Sequence, residues 1–205
     1  KGYNPNNDYD KQIRLMYLFS SELKQPVYYR MINGNIPDIS SMALCITEMA
    51  IKDVIFIADK GFYSKENKDQ LLKNDLQYLI PLRRNNALID LSTFLRPNFK
   101  KEIKTYFEYQ GRIIWYNQYE DQGQKLVTFL DEKLRVKEES DYLIRTKTHP
   151  DSFTEQGFFK KLDGFGTLTI AFNVKENLTA RQIYEAYKKR NEVETMFDSY
   201  KNFLK

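Results

Sequence analysis

Two carboxylates lying far apart in the 205-residue chain have neighbours suited to phosphate chemistry. One is Asp59, in Ala58-Asp59-Lys60-Gly61-Phe62; the other is Glu194, close to Tyr187, Arg190 and Lys201. On an α-helix each residue advances by roughly 100°, so with Tyr187 at zero Arg190, Glu194 and Lys201 fall at roughly −60°, −20° and −40°. A phenol, two cations and a carboxylate then share a face about 60° wide. Carboxylate oxygens are hard ligands that suit Mg²⁺ or Mn²⁺. Phosphoryl transfer on a pair of such ions needs several carboxylates converging on positions about 3.5–4 Å apart. Cations and a phenol beside them suit phosphate oxygens and a sugar-phosphate backbone. Plainer readings stand next to these: Asp59 as a turn residue ahead of Gly61, and Glu194 as a solvent-facing helix carboxylate.

Such a site needs a strand that ends at Asp59 and a helix that carries Glu194. Val54 to Ala58 is continuously apolar, the pattern of a strand covered on both faces, and Gly61 permits a sharp turn just after it. The strand would therefore leave Asp59 at its carboxyl end, where open α/β sheets bind ligands. Thr179 followed by Gln182 reads as a capping box that starts the closing helix. Ile183, Ala186, Val193, Phe197 and Leu204 form an apolar stripe centred roughly 65° from the polar face. Upstream, Ile13 to Phe19 and Val27 to Ile32 read as a hairpin, and a helical pattern runs on from Pro37. Ser64 caps a helix reaching about Leu72, and Tyr78 to Leu82 reads as a strand. The alternation of strand and helix predicts a βαβ sheet. Strand-like runs at Thr105 to Tyr109, Arg112 to Tyr119 and Leu126 to Leu130 follow, with Gln110-Gly111 and Asp121-Gln122-Gly123 as turns. They suggest an antiparallel meander inserted into the first domain rather than a continuation of its sheet. A charged helix from Asp131 to about Lys147 and a last strand from Gly166 to Asn173 complete the order.

Composition restricts the chemistry further. With one histidine, His149, and one cysteine, Cys45, no His/Cys metal cage and no internal disulfide can form. Any divalent ion must therefore be held by oxygen. The net charge of +4, from 32 Lys plus Arg against 28 Asp plus Glu, is too small to indicate nucleic acid by itself. Local basic clusters at Arg83 and Arg84, at Lys100, Lys101 and Lys104, and at Lys188, Lys189 and Arg190 say more, though each also fits a solvated face. No apolar run approaches the ~20 residues that a membrane span requires. Trp115 reads as core or sheet face, Cys45 as a buried small hydrophobe and His149 as a surface loop residue.

The spacing Tyr-x2-Arg-x3-Glu-x6-Lys, met by Tyr187, Arg190, Glu194 and Lys201, resembles the signature of a large group of bacterial insertion-sequence transposases of the DDE type. Ala58 to Ser64 resembles the surroundings of that group's second catalytic aspartate. Gly34-Asn35 with Asp38 resembles its Gly-Asn-x-x-Asp stretch, and Gly2-Tyr3-Asn4 with Lys11-Gln12 its lead-in. The resemblance implies an α/β fold: a ribonuclease H-like mixed sheet with flanking helices, interrupted by a β-rich insertion before the last catalytic helix. Residues 1–86 would be the first part of that core, 87–164 the insertion, and 165–205 the last strand and catalytic helix. It implies that Asp59 and Glu194 are catalytic metal ligands for Mg²⁺ or Mn²⁺, and that Tyr187, Arg190, Lys201 and Lys60 contact DNA phosphates. The expected partners are double-stranded DNA, both transposon ends and target, and a second copy of the chain. The expected setting is the bacterial cytoplasm at the nucleoid, away from membranes.

In that group the first catalytic aspartate lies on a core strand upstream of the lead-in, where this chain begins. Asp8 and Asp10 fall in a part that is not catalytic there. A strand expected between the first hairpin and Val54 is also missing, as is the usual amino-terminal module that recognises transposon ends. The chain is accordingly expected to be an amino-terminally incomplete portion, inactive by itself, of an enzyme that cuts and joins transposon ends. A non-catalytic DNA-binding remnant and a nuclease that hydrolyses without joining are the alternatives.

Overall fold

The computed structural model describes residues 13–20, 23, 25–33, 48 and 55–190. The chain divides into two compact units, Lys1–Ile57 with Ser64–Gln77 and Ile183–Lys205, and Ala58–Tyr63 with Tyr78–Gln182. The helical pattern expected from Pro37, and Cys45 within it, lie outside the described residues, apart from Glu48, which is helical.

In the first unit, β-branched and aromatic residues build the expected hairpin. Strand β1 (Ile13–Ser20) runs antiparallel to β2 (Gln25–Asn33), from Ile13 opposite Asn33 to Ser20 opposite Gln25. The register shifts between Leu18 and Phe19, beside Pro26, which has no N–H to give to the ladder. The run ending at Ala58 forms the short strand β3 (Ile55–Ile57), half-buried along its length. Helix α1 (Lys65–Lys73) starts where Ser64 Oγ accepts the Asn67 N–H at 3.1 Å. It stops in a Schellman arrangement: Asp75 takes φ +51°, Leu76 N–H reaches Leu71 O at 2.9 Å and Asp75 N–H reaches Leu72 O at 3.1 Å. Leu71 is fully buried, anchoring the helix through its one deeply apolar position.

The second unit is organised by its sheet. The strands are β4 (Gln77–Pro81), β5 (Tyr106–Tyr109), β6 (Arg112–Asp121), β7 (Gln124–Asp131) and β8 (Thr167–Asn173). They lie in the order β4-β8-β7-β6-β5, each antiparallel to its neighbour. Both tight hairpins use the same device. Gln110-Gly111 (φ +51° and +71°) and Gln122-Gly123 (φ +49° and +71°) have two successive left-handed residues, the backbone of a type I′ turn, whose twist matches that of the strands it joins. The meander is not set apart from the flanking strands as the sequence suggested: β7 pairs with β8, and β8 pairs with β4. Uniform burial of β4 and near-uniform burial of β7 give no polar face along which a boundary could fall.

Burial of Leu79, Ile80, Leu126, Leu130 and Ile170 supplies the core, each such side chain stabilising the fold by about 1.5–3 kcal/mol. The polar groups buried with them are paired. Thr128 and Thr169 share a hydroxyl bond of 2.8 Å, and Gln124 accepts from Tyr78 Oη at 2.8 Å while donating to Phe172 O at 3.1 Å. Short helices α2 (Ser92–Leu95) and α3 (Phe99–Glu102) bring Phe94 and Phe99 against Leu130, with half-buried Trp115 packed beside them. The long charged helix is α4 (Glu132–Thr148), capped by Asp131, whose Oδ1 accepts the Leu134 N–H while Oδ2 takes Arg112 at 2.7 Å. His149 is exposed at its end. Helix α5 (Glu155–Lys161) follows, and α6 (Ala180–Lys188) comes after β8. Among the described residues no helix is long and apolar enough to cross a membrane.

Candidate functional site

Beyond Ile57 the strand gives way to a tight turn. Ala58 is buried, and its N–H donates to Leu79 O at 3.3 Å, tying the start of the turn to β4. Asp59 O accepts the Phe62 N–H at 2.9 Å, closing the turn, and Asp59 Oδ1 accepts the Lys60 N–H at 2.7 Å. Asp59, Lys60 and Gly61 are all exposed. Tyr63 then returns to the interior against the Leu82, Leu126 and Ala171 cluster, and burial pushes its phenol pKa upward. Buried Ala58 on one side and half-buried Tyr63 on the other thus fix an exposed carboxylate at the carboxyl end of a strand, the position expected for Asp59. Gly61 plays a different part from the one its sequence suggests, because it is not among the residues of positive φ. A side chain added there would meet Arg83 Nη2 at 3.8 Å, so the glycine lies against a guanidinium.

Arg83 is the residue that the sequence pattern did not single out. It appeared there only as half of an Arg83-Arg84 pair, and nothing in the spacing distinguishes the two. In the structure they diverge. Arg84 Nη2 grips Glu138 at 2.8 and 2.9 Å and reaches Thr167 O at 3.2 Å. Arg83 is exposed beside the Asp59 turn and forms no ion pair among the described residues.

The helix that leads toward Glu194 begins as predicted. Thr179 Oγ1 accepts the Gln182 N–H at 3.2 Å, and Gln182 Oε1 accepts the Thr179 N–H at 2.9 Å, the two halves of a capping box. Ala180, Ile183 and Tyr184 are buried. With Tyr187 at zero these three fall at roughly +20°, −40° and +60°. Tyr187 is half-buried, as are Glu185, Ala186 and Lys188. Arg190 lies with its guanidinium carbon 5.7 Å from the centre of the Tyr187 ring, so the phenol and the cation are brought together. Glu194 and Lys201 lie outside the described residues.

Asp59 and Lys60 are therefore adjacent on one turn, and Arg190, just past the end of α6, lies over the Tyr187 ring. The donor chemistry at Asp59, a hard and exposed carboxylate, suits Mg²⁺ or Mn²⁺. Among the described residues, no three His, Cys, Asp or Glu side chains gather into a group that could hold an ion. Asp59 alone thus represents the expected ligand set there.

Residues 1–205 match the family model described as "Transposase DDE domain". No curated protein sequence matches the chain. Among solved structures, a cryo-EM structure of a piggyBac transposase synaptic complex with hairpin DNA is 12% identical, with a TM-score of 0.49. The alignment covers 97% of this chain and 36% of that one, so the chain spans little more than a third of the length of that protein.

Proposed function

The chain belongs to the transposase DDE domain family, and from that premise we propose that it is part of the catalytic region of a bacterial insertion-sequence transposase, of the branch marked by Tyr187, Arg190, Glu194 and Lys201. The family match over the whole chain carries this reading, and the exposed Asp59 carboxylate at the end of β3 supports it. The reaction is cleavage of transposon ends and their transfer to a target strand. Residues 1–86 and 165–205 are the two parts of a ribonuclease H-like core, with 87–164 inserted between them in the chain.

Asp59 and Glu194 would hold Mg²⁺ or Mn²⁺. Bound there, the metal supplies Lewis-acid stabilisation to the attacking and leaving oxygens. The protein's own task is to hold its carboxylates ready and its cations on the DNA backbone. The Asp59 carboxylate is kept outward by the turn that its own carbonyl closes. Arg190 is steadied by the Tyr187 ring, which limits its rotamers and lowers the entropic cost of a contact with a phosphate oxygen. Lys60 and Lys201 add phosphate contacts. The substrate is double-stranded DNA, the assembly on paired ends is a homodimer, and the setting is the bacterial nucleoid.

Glu194→Gln in the intact protein is expected to abolish Mg²⁺-dependent cleavage of end-bearing DNA while leaving DNA binding within about twofold, because only the anionic form ligates a hard cation. Retained cleavage removes Glu194 from the mechanism. If the wild-type intact protein binds ends without cutting them, the chain is a DNA-binding remnant.

A further inference from the structure

We propose that Arg83 contacts the scissile phosphate of the DNA strand held at Asp59, a role that rests on the strand-cleavage reading above. The argument begins with what the turn itself can offer an anion. Turns that bind phosphate usually do so with unpaired backbone N–H groups. Here the Lys60 N–H is taken by the Asp59 carboxylate and the Phe62 N–H by the Asp59 carbonyl. Two of the turn's donors are thus committed internally, and the carboxylate adds negative charge where a phosphate has to approach. A side-chain cation must meet that phosphate. Lys60 is one candidate, but as a flexible point charge it fixes no geometry.

Arg83 is better placed to do so. It follows directly on Leu82, a buried member of the cluster that also holds Tyr63, so the backbone on each side of the turn is anchored in one core. Its Nη2 lies in ordinary contact distance of the position a Gly61 side chain would take. The guanidinium therefore stands against Gly61, which follows Asp59 by two residues in the chain, with no ion pair among the described residues to hold it elsewhere. Its neighbour shows what an arginine with a structural task looks like: Arg84 is bound by both Glu138 oxygens and by Thr167 O. A planar fork against the turn that carries Asp59 suits bidentate capture of a phosphate. Gly61 puts no side chain between the guanidinium and the turn.

The test uses the intact protein and duplexes carrying a transposon end, with binding measured in metal-free buffer across a salt series. Arg83→Ala is expected to weaken binding about tenfold at low salt and to reduce the slope of log K against log salt by about one counterion. Arg83→Lys is expected to restore the slope. A second duplex carries a neutral methylphosphonate at the scissile phosphate. It should bind the wild type more weakly than the natural duplex does, yet cost Arg83→Ala no further affinity. An unchanged salt slope in Arg83→Ala, or an equal methylphosphonate penalty in both proteins, overturns the assignment. Asp59→Asn is assayed for cleavage in parallel. If it still cuts, the catalytic reading fails while the binding data on Arg83 stand on their own.

Discussion

At the corner where α4 lies beside the turn into β8, Glu138 receives Arg84 on both carboxylate oxygens and the Gly166 N–H at 2.7 Å. At the turn from Asp59 to Phe62 the same residue types recur, a carboxylate, an arginine and a glycine, but all three are exposed. The first set is closed on itself: every charge is spent on a partner from another element, and the glycine is forced. Gly166 takes φ +70°, and a side chain there would stand 2.5 Å from Asp131 O and 2.6 Å from Arg135 Cβ. The second set is held by its backbone and exposed, with Arg83 in no ion pair among the described residues. Charges consumed by the fold explain architecture; the exposed turn is the surface that a substrate can reach.

That contrast can be broken most sharply at the two glycines. Gly166→Ala combines a left-handed backbone with overlap against main-chain atoms and is expected to cost about 3–5 kcal/mol in denaturant unfolding. A cost below about 1 kcal/mol would mean that the corner yields and is not closed as described. Gly61→Ala meets only the far end of a flexible side chain at van der Waals distance. Its stability should stay within about 0.5 kcal/mol of wild type by the same measurement. A large loss there would place Gly61 among the structural glycines and remove the asymmetry between the two regions.

Much of the scaffold was legible because local chemistry decided it. Ser64, Asp131 and the Thr179-Gln182 box cap their helices as their types require, and the two Gln-Gly pairs form the expected turns. Helix α5 was not foreseen, since seven residues with Gly157 and adjacent phenylalanines show no helical period. Helices α2 and α3, of four residues each, are too short to show one. The pairing of β7 with β8 is a long-range choice that no local pattern encodes. The same limit applied to the site. Asp59 could be placed from the apolar run before it. The different fates of Arg83 and Arg84 depend on Glu138 and Gly61, which lie far from them in sequence. Along α6, the apolar stripe was legible at Ile183, which is fully buried.

The central claim is that Asp59 is exposed for chemistry and not for structure, and one paired measurement on the intact protein tests it. Asp59→Asn keeps the size of the side chain and an oxygen able to accept the Lys60 N–H. The account therefore predicts unfolding stability within about 0.5 kcal/mol of wild type, together with loss of Mg²⁺-dependent cleavage of end-bearing DNA by at least about a hundredfold. Stability and cleavage both unchanged, or a loss of cleavage that only follows a loss of folding, would contradict it.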